Sequence, residues 1–461
     1  MCPSRNPHYD PTDTRDGRGQ KTPEGRHNIE RMLCGLADVG GQGGDVLMAG
    51  RAVVVLGGGV GGVVAANELR QRLNPGDRVT VVEREARHLF QPSLLWLLVG
   101  RRRPERISRL LRGLLAPGIE VLAAEVRAID PAGRRVETSG GPLAFDALVV
   151  ALGAELAPDA LPGFGEAAHN IFSVAGAAAC ARELALFRGG RLVVFVSTLP
   201  YKCPAAPYEA TLLLDDELRR RGVRSATEIE LYTPEPQPMP VAGPVVGEAL
   251  MALLRARGIR YHPSTPVARV EPASRELVLA DGTRVAYDLL AGVPPHRPPG
   301  ALQGSGLVNG SGWATVDRRT LQTASDGVFA IGDATAVSLA NGKPLPKAGV
   351  FAHAQALVVA RRIAADLGAR PAASEFDGYG YCWVETGRGA AAFGVGDFYA
   401  EPDPAVTLRR PNSAWHAGKV LFERYWLGGG LERRLSMLGL TGAAKLLGIR
   451  ARTQGRHHPF L

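Results

Sequence analysis

Gly57, Gly59 and Gly62 stand in G-x-G-x-x-G spacing directly after a short apolar run, Ala52-Val53-Val54-Val55-Leu56. A helical stretch from Val63 to Leu73 follows, then a second apolar run, Val79-Thr80-Val81-Val82, closed by Glu83. Strand, turn, helix, strand and terminal acid in this register predict a parallel βαβ unit that binds a dinucleotide. The first glycine permits the tight turn, the second a close approach of backbone to pyrophosphate, and the third helix–strand packing. The helix N-terminus presents unpaired N–H groups and a positive dipole end to the phosphates. Glu83 is placed to accept a hydrogen bond from a ribose 2′-hydroxyl.

Two later segments specify the nucleotide. Gly327-Val328-Phe329-Ala330-Ile331-Gly332-Asp333 reads as a buried strand ending in Gly-Asp. It resembles the second FAD motif of the disulfide-reductase-like flavoproteins, in which the aspartate bonds the ribityl chain. Phe145-Asp146-Ala147-Leu148-Val149-Val150-Ala151-Leu152-Gly153 resembles the intervening motif, with Leu152 in place of the more usual threonine. FAD is the expected cofactor, held by Gly57, Gly59, Gly62, Glu83, Gly153, Gly332 and Asp333. A plainer reading makes Asp333 a helix N-cap before Ala334-Thr335. No metal site is expected.

The strand Leu192-Val193-Val194-Phe195-Val196-Ser197 sits where a nicotinamide-binding unit would begin. The turn after it is not glycine-rich but Pro200-Tyr201-Lys202-Cys203-Pro204. A lysine beside the thiol and a helix N-terminus near it are expected to lower the Cys203 pKa and favour thiolate. Cys382 lies in an alternating strand, Gly378 to Gly387, where a lone cysteine is structural or catalytic. Cys180, in a helical segment, reads as a small buried apolar residue. Few cysteines in the folded body suit a reducing compartment better than a disulfide scaffold.

At 461 residues, 45% of them hydrophobic, the chain is long enough for two or three domains. The excess of Lys+Arg, 54 against 45 acids, is uneven: residues 428–461 hold six Lys/Arg against Glu432 alone. No reader motif or basic–aromatic stripe accompanies the charge, so nucleic acid is not an expected partner. Leu431, Leu435, Leu438, Leu446 and Ile449 recur at broadly helical spacing among Arg433, Arg434, Lys445 and Arg450, after an aromatic pair, Tyr425-Trp426. One reading is a helix lying in a membrane headgroup plane; the other is an amphipathic helix on the protein's own core, weakened by Gly439, Gly442 and Gly448. No run of about 18 apolar residues predicts a membrane-crossing helix. Residues 1–48 are expected to be a disordered extension, with Cys2 and Cys34 outside the chemistry. With no signal-peptide pattern, a cytoplasmic location is expected, with peripheral association with the cytoplasmic membrane through the basic tail.

Cys203-Pro-Ala-Ala-Pro-Tyr208-Glu209, the Gly332-Asp333 segment, Pro346-Lys347-Ala348-Gly349 and the late Cys382 together resemble the sulfide:quinone oxidoreductases, relatives of flavocytochrome sulfide dehydrogenases and type II NADH dehydrogenases. The match runs over roughly residues 50 to 427. It implies a redox pair formed by Cys203 and Cys382 over the flavin, with Glu209 as a proton acceptor and Lys347 near the pyrimidine edge of the ring. It also implies sulfide or another small reductant as substrate and quinone as acceptor, and leaves homo-oligomerisation open. The chain departs from the pattern in having no third cysteine around His169 to Val174 and no histidine near Thr233 to Pro236. A flavin NAD(P)H dehydrogenase and a non-catalytic redox-sensing flavoprotein are the alternatives.

The expected fold is α/β, with two Rossmann-like dinucleotide-binding-type domains in a glutathione-reductase-like arrangement and a C-terminal α+β region. An FAD domain of residues 49–157 and 311–370 is split by a second domain at 158–310 carrying Cys203. Residues 371–427 carry Cys382, and 428–461 form the basic tail.

Overall fold

The computed structural model describes residues 50–368 and 374–447. The 1–48 extension with Cys2 and Cys34, and Gly448, Ile449 and Arg450 of the tail, lie outside the described residues.

Two five-stranded parallel sheets organise the molecule. The first has spatial order Val328–Ala330, Ala147–Val150, Ala52–Leu56, Arg78–Val82 and Ile119–Leu122. Val53 to Leu56 and Ala147 to Val150 are buried on both faces, which is why these strands read as continuous apolar runs and do not alternate. The helix Val60–Arg72 covers the sheet and packs on the later helix Gly349–Asp366. Chain that returns after the second sheet thus closes the first one.

The second sheet has order His169–Asn170, Leu289–Val293, Gly190–Val196, Thr227–Tyr232 and Arg260–His262, again all parallel. The α/β architecture with two Rossmann-like sheets is therefore as expected. Cys180 sits fully buried in the helix Val174–Leu186, as a small core residue.

The C-terminal region is an antiparallel sheet, Tyr379–Gly387, Ala390–Asp397 and Ala405–Asn412, followed by the helices Ser413–Leu427 and Gly430–Leu446. Its first strand touches both units: it packs on the helix Ala206–Arg220 of the second and on Gly349–Asp366 of the first. Gly380 allows the second contact, because a Cβ there would stand 2.4 Å from the Phe351 ring. The strand that carries Cys382 is thereby held across the mouth between the two sheets.

Candidate functional site: a cofactor cleft with two cysteines

A cavity of about 660 Å³ opens between these elements. Gly57, Gly59, Glu83, Gly153, Gly332, Asp333 and Lys347 all line it, and so do Cys203, Cys382 and Glu209. Gly62 lies behind the lining.

The glycine loop has the geometry a dinucleotide needs. Gly57 has φ +100°, a left-handed conformation that strains other residues, and its Cβ would meet the Ala151 carbonyl oxygen at 2.5 Å. A Cβ at Gly62 would meet the Gly57 carbonyl oxygen at 1.8 Å, so this glycine lets the helix approach the strand. Gly59 faces open space, with nothing within 4 Å of a Cβ. The middle glycine therefore leaves room for a ligand while the other two are packed against protein. Glu83 is tied to the loop, accepting from Gly58 N at 2.6 Å.

Asp333 is not an N-cap. It lies inside a short 3-10 turn, Gly332–Ala334, whose flanking residue makes no side-chain cap. Its Oδ1 is buried with no hydrogen-bond partner among the described residues. An orphaned carboxylate oxygen facing a cavity calls for a ligand hydroxyl, since unpaired buried polar atoms cost free energy. The open Gly59 cradle and the orphaned Asp333 oxygen fit FAD at two of its parts, the pyrophosphate and the ribityl chain.

Cys203 ends the loop after the Gly190–Val196 strand and precedes the helix Ala206–Arg220. Its φ of +52° is rare for a non-glycine residue. Its N–H donates to the Lys347 carbonyl at 2.7 Å, and its own carbonyl accepts from Ala206 N at 2.8 Å. These bonds fix an otherwise unfavourable backbone. Cys382 pairs opposite Gly394 in the antiparallel sheet. Both cysteines are half-buried, and both are free thiols.

The thiolate expected at Cys203 is not favoured. Burial pushes the thiol well up, and neighbouring Cys382 and Glu209 push the same way, against Lys419. Cys382 is likewise raised, to about 12, by burial and then by Glu209, against Lys419. Proximity to a lysine in sequence was outweighed by desolvation, which a dipeptide does not reveal.

Glu209, on the first turn of the Ala206–Arg220 helix, is 2% exposed and forms an ion pair with Lys419, which is 3% exposed. Burial raises Glu209 to about 7, with Lys419 opposing and Glu385 adding to the rise. Burial works to lower Lys419, but the Glu209 and Glu385 carboxylates overturn it and hold the ammonium above its ordinary value. Glu385 in turn bonds His416 Nδ1 at 2.9 Å. Lys419, Glu385 and His416 escaped the sequence reading. The available signal was a lysine beside the aromatic and aliphatic residues of a helix, Ser413–Leu427, that also carries His416, Glu423 and Arg424.

Lys347 is committed to the protein: its Nζ donates to the carbonyls of Asp333 (2.7 Å) and Thr335 (3.0 Å) and lies 3.4 Å from the Trp313 ring centroid. Burial lowers its pKa to about 8.

The Tyr425-Trp426 pair is not an outward interface. Trp426 is 1% exposed, and its Nε1 donates to His88 Nε2 at 2.7 Å, while His88 Nδ1 bonds the Gly58 carbonyl at 2.8 Å. His88 accepts through one nitrogen and donates through the other, so burial keeps it neutral. The pair thus links the penultimate helix to the glycine loop. Gly439 does not weaken the last helix either: it permits contact with Leu421 of the preceding one, where a Cβ would lie 2.8 Å from Leu421 Cδ2. Met437 and Leu440 face the core, whereas Leu431, Leu435, Leu438 and Leu446 are 58–89% exposed.

Comparison with known proteins identifies the family and the fold. The family model of the pyridine nucleotide-disulphide oxidoreductases matches residues 51–356. The mitochondrial sulfide:quinone oxidoreductase of Mus musculus is 26% identical, over 84% of this chain and 90% of that protein. An alternative NAD(P)H-ubiquinone oxidoreductase of Arabidopsis thaliana is 26% identical, over 69% and 68%. Among solved structures, the sulfide:quinone oxidoreductase of Aquifex aeolicus aligns with TM-score 0.74 and 25% identity, covering 88% of this chain and 96% of that one. The chain belongs to the pyridine nucleotide-disulphide oxidoreductase family and is an FAD-dependent oxidoreductase.

Proposed function

We propose that this protein oxidises hydrosulfide through Cys203 and Cys382 and passes the electrons to a quinone at a membrane surface. The observation that carries the reading is that two cysteines far apart in sequence line one cavity with the glycine cradle and Asp333. In the oxidised couple, hydrosulfide attacks a Cys203–Cys382 disulfide: the S–S bond breaks, a persulfide forms on one cysteine, and the other leaves as thiolate. A second hydrosulfide takes the outer sulfur and leaves as hydrodisulfide, and the two cysteine thiolates then re-form the disulfide and give up two electrons. Bound FAD supplies the two-electron acceptor. Asp333 and the Gly57–Gly62 loop hold the cofactor, and Glu209, poised near neutrality, takes up the proton while Lys419 keeps its charge balanced.

A quinone is favoured by the apolar and aromatic part of the cavity wall. Tyr381, Trp383, Phe422, Met437, Leu440 and Leu447 line it beneath the last helix, and Trp383 stacks on Phe422 with centroids 5.3 Å apart. The outward leucines of that helix suit an acyl-chain boundary beside this opening. No helix among the described residues is long and apolar enough to cross a membrane. The division into an FAD domain of 49–157 and 311–370, a Cys203 domain of 158–310 and a Cys382 region of 371–427 belongs to the same proposal.

The NAD(P)H dehydrogenase reading is disfavoured by one contact set. Just past the end of the Thr227–Tyr232 strand, where the adenosine ribose of NAD(H) would seek a free acid, Glu235 is buried and accepts from both Tyr201 (2.9 Å) and Tyr208 (2.6 Å). Anaerobic titration tests the proposal: sulfide should bleach the bound flavin and NADH should not. Cys203→Ser and Cys382→Ser should each abolish bleaching while retaining FAD. Bleaching by NADH, or undiminished bleaching in either variant, would refute it.

A further inference from the structure

Beside Cys203 the cavity wall carries a cation that the scheme above leaves unused. Lys202 is 7% exposed and lines the cavity. It forms a parallel bridge with Lys347, so two buried lysines stand side by side. Their ammonium groups differ. Lys347 is held by two carbonyls and the Trp313 ring, whereas no hydrogen bond reaches Lys202 Nζ among the described residues. Its ring contact is distant, 5.4 Å from the Phe172 centroid. Behind Phe172, edge-on at 5.5 Å, His296 keeps a buried Nε2 that is also unpartnered.

A buried ammonium without a hydrogen-bond partner costs free energy that an anion beside it would offset. The surroundings restrict that anion. Ile171, Phe172 and Ala206 make the adjoining wall apolar, which suits a small, polarisable, weakly hydrated ion. Burial lowers the Lys202 pKa while Asp333 acts to raise it, so one anion beside the side chain favours its charged form and a second negative charge on the ligand would be repelled by Asp333. The next residue along the chain is the cysteine sulfur. Resting on the sulfide reading above, we propose that Lys202 and Phe172 form a binding site for a sulfur monoanion, hydrosulfide or a hydropolysulfide, beside Cys203.

The test uses the reduced, FAD-loaded full chain, with alkylation of Cys203 followed by peptide mass spectrometry. Iodoacetate, a monoanion, should be favoured over neutral iodoacetamide at Cys203 relative to the same ratio in the unfolded chain. Lys202→Met should lower that preference by at least about tenfold, since a nearby unit charge acting through an effective dielectric of about 20 is worth more than the roughly 1.4 kcal/mol that tenfold represents, and Lys202→Arg should keep most of it. In the unaltered protein, thiocyanate should slow iodoacetamide labelling and sulfate at equal ionic strength should not. This second arm needs no variant. In sulfide titrations of Lys202→Met, the sulfide concentration giving half-maximal bleaching rate should rise about tenfold with little change in the limiting rate. An unchanged iodoacetate preference in Lys202→Met, including a variant that merely loses FAD, overturns the proposal, as does equal protection by sulfate and thiocyanate. Failure of sulfide to bleach the unaltered protein would instead refute the sulfide reading, while the alkylation ratio still reports on Lys202.

Discussion

The two parallel sheets share the order of four strands, differ in the outermost one (Val328–Ala330 late in the chain, His169–Asn170 early), and end in opposite kinds of loop. After Ala52–Leu56 the chain makes a turn whose middle glycine faces empty space; after Gly190–Val196 it makes one filled by Tyr201, Lys202 and Cys203. At the second strand of each unit the acids differ as well. Glu83 remains at the cavity wall, whereas Glu235 is buried under two tyrosine hydroxyls. A Rossmann-like sheet is thus a frame, and a few residues after its first strand decide whether it cradles phosphate or carries a thiol.

That contrast can be broken at several points. The largest stability effect is expected at the ion pair that joins the Cys203 helix to the C-terminal helix. Lys419→Met would leave Glu209 buried without its cation, at a cost of about 3–5 kcal/mol, seen as a fall in denaturation midpoint. Restoration by Glu209→Gln in the same chain would identify the lost charge balance as the cause. In the cradle, Gly62→Ala pushes a methyl into the Gly57 carbonyl and should destabilise the fold by about 2–4 kcal/mol. Gly59→Ala, entering open space, should leave the midpoint nearly unchanged and weaken FAD binding, measured by equilibrium dialysis. Equal effects of the two alanines would remove the distinction drawn between packed and ligand-facing glycines.

A smaller effect concerns pH. The folded pKa of Glu209, about 7, lies above its ordinary value of 4.5. Its protonated form therefore contributes stability that is complete below about 4.5 and is lost as pH rises through about 7. Glu209→Gln should flatten that part of the Tm profile. The sulfide half-reaction should rise over the same interval in the unaltered protein, because a proton acceptor must first be ionised. The smallest change is at the surface: Leu435→Gln with Leu438→Gln should reduce partition to liposomes severalfold without altering Tm or FAD content. Unchanged partition would reject the bilayer contact.

The cradle was legible in the sequence because its geometry is local. Gly57, Gly59 and Gly62 act within one turn, and Gly332-Asp333 ends a strand recognisable by its apolar run. What escaped depends on contacts between distant segments. Lys419 meets Glu209 across 210 positions, and Trp426 meets His88 across 338. The direction of the Cys203 shift was misjudged for the same reason, since burial comes from elements that the Lys202-Cys203 pair does not include. Spacing marked the tail leucines as one face of a helix, but only packing shows that Met437 and Leu440 turn inward while Leu435 and Leu438 turn out.

The most direct test is disulfide mapping of the oxidised, unreduced full chain, which has five cysteines. A peptide containing Cys203 should be recovered linked to one containing Cys382, and prior treatment with sulfide should abolish the link. Recovery of both as separate thiols after oxidation, or of either joined to a different cysteine, would contradict the account.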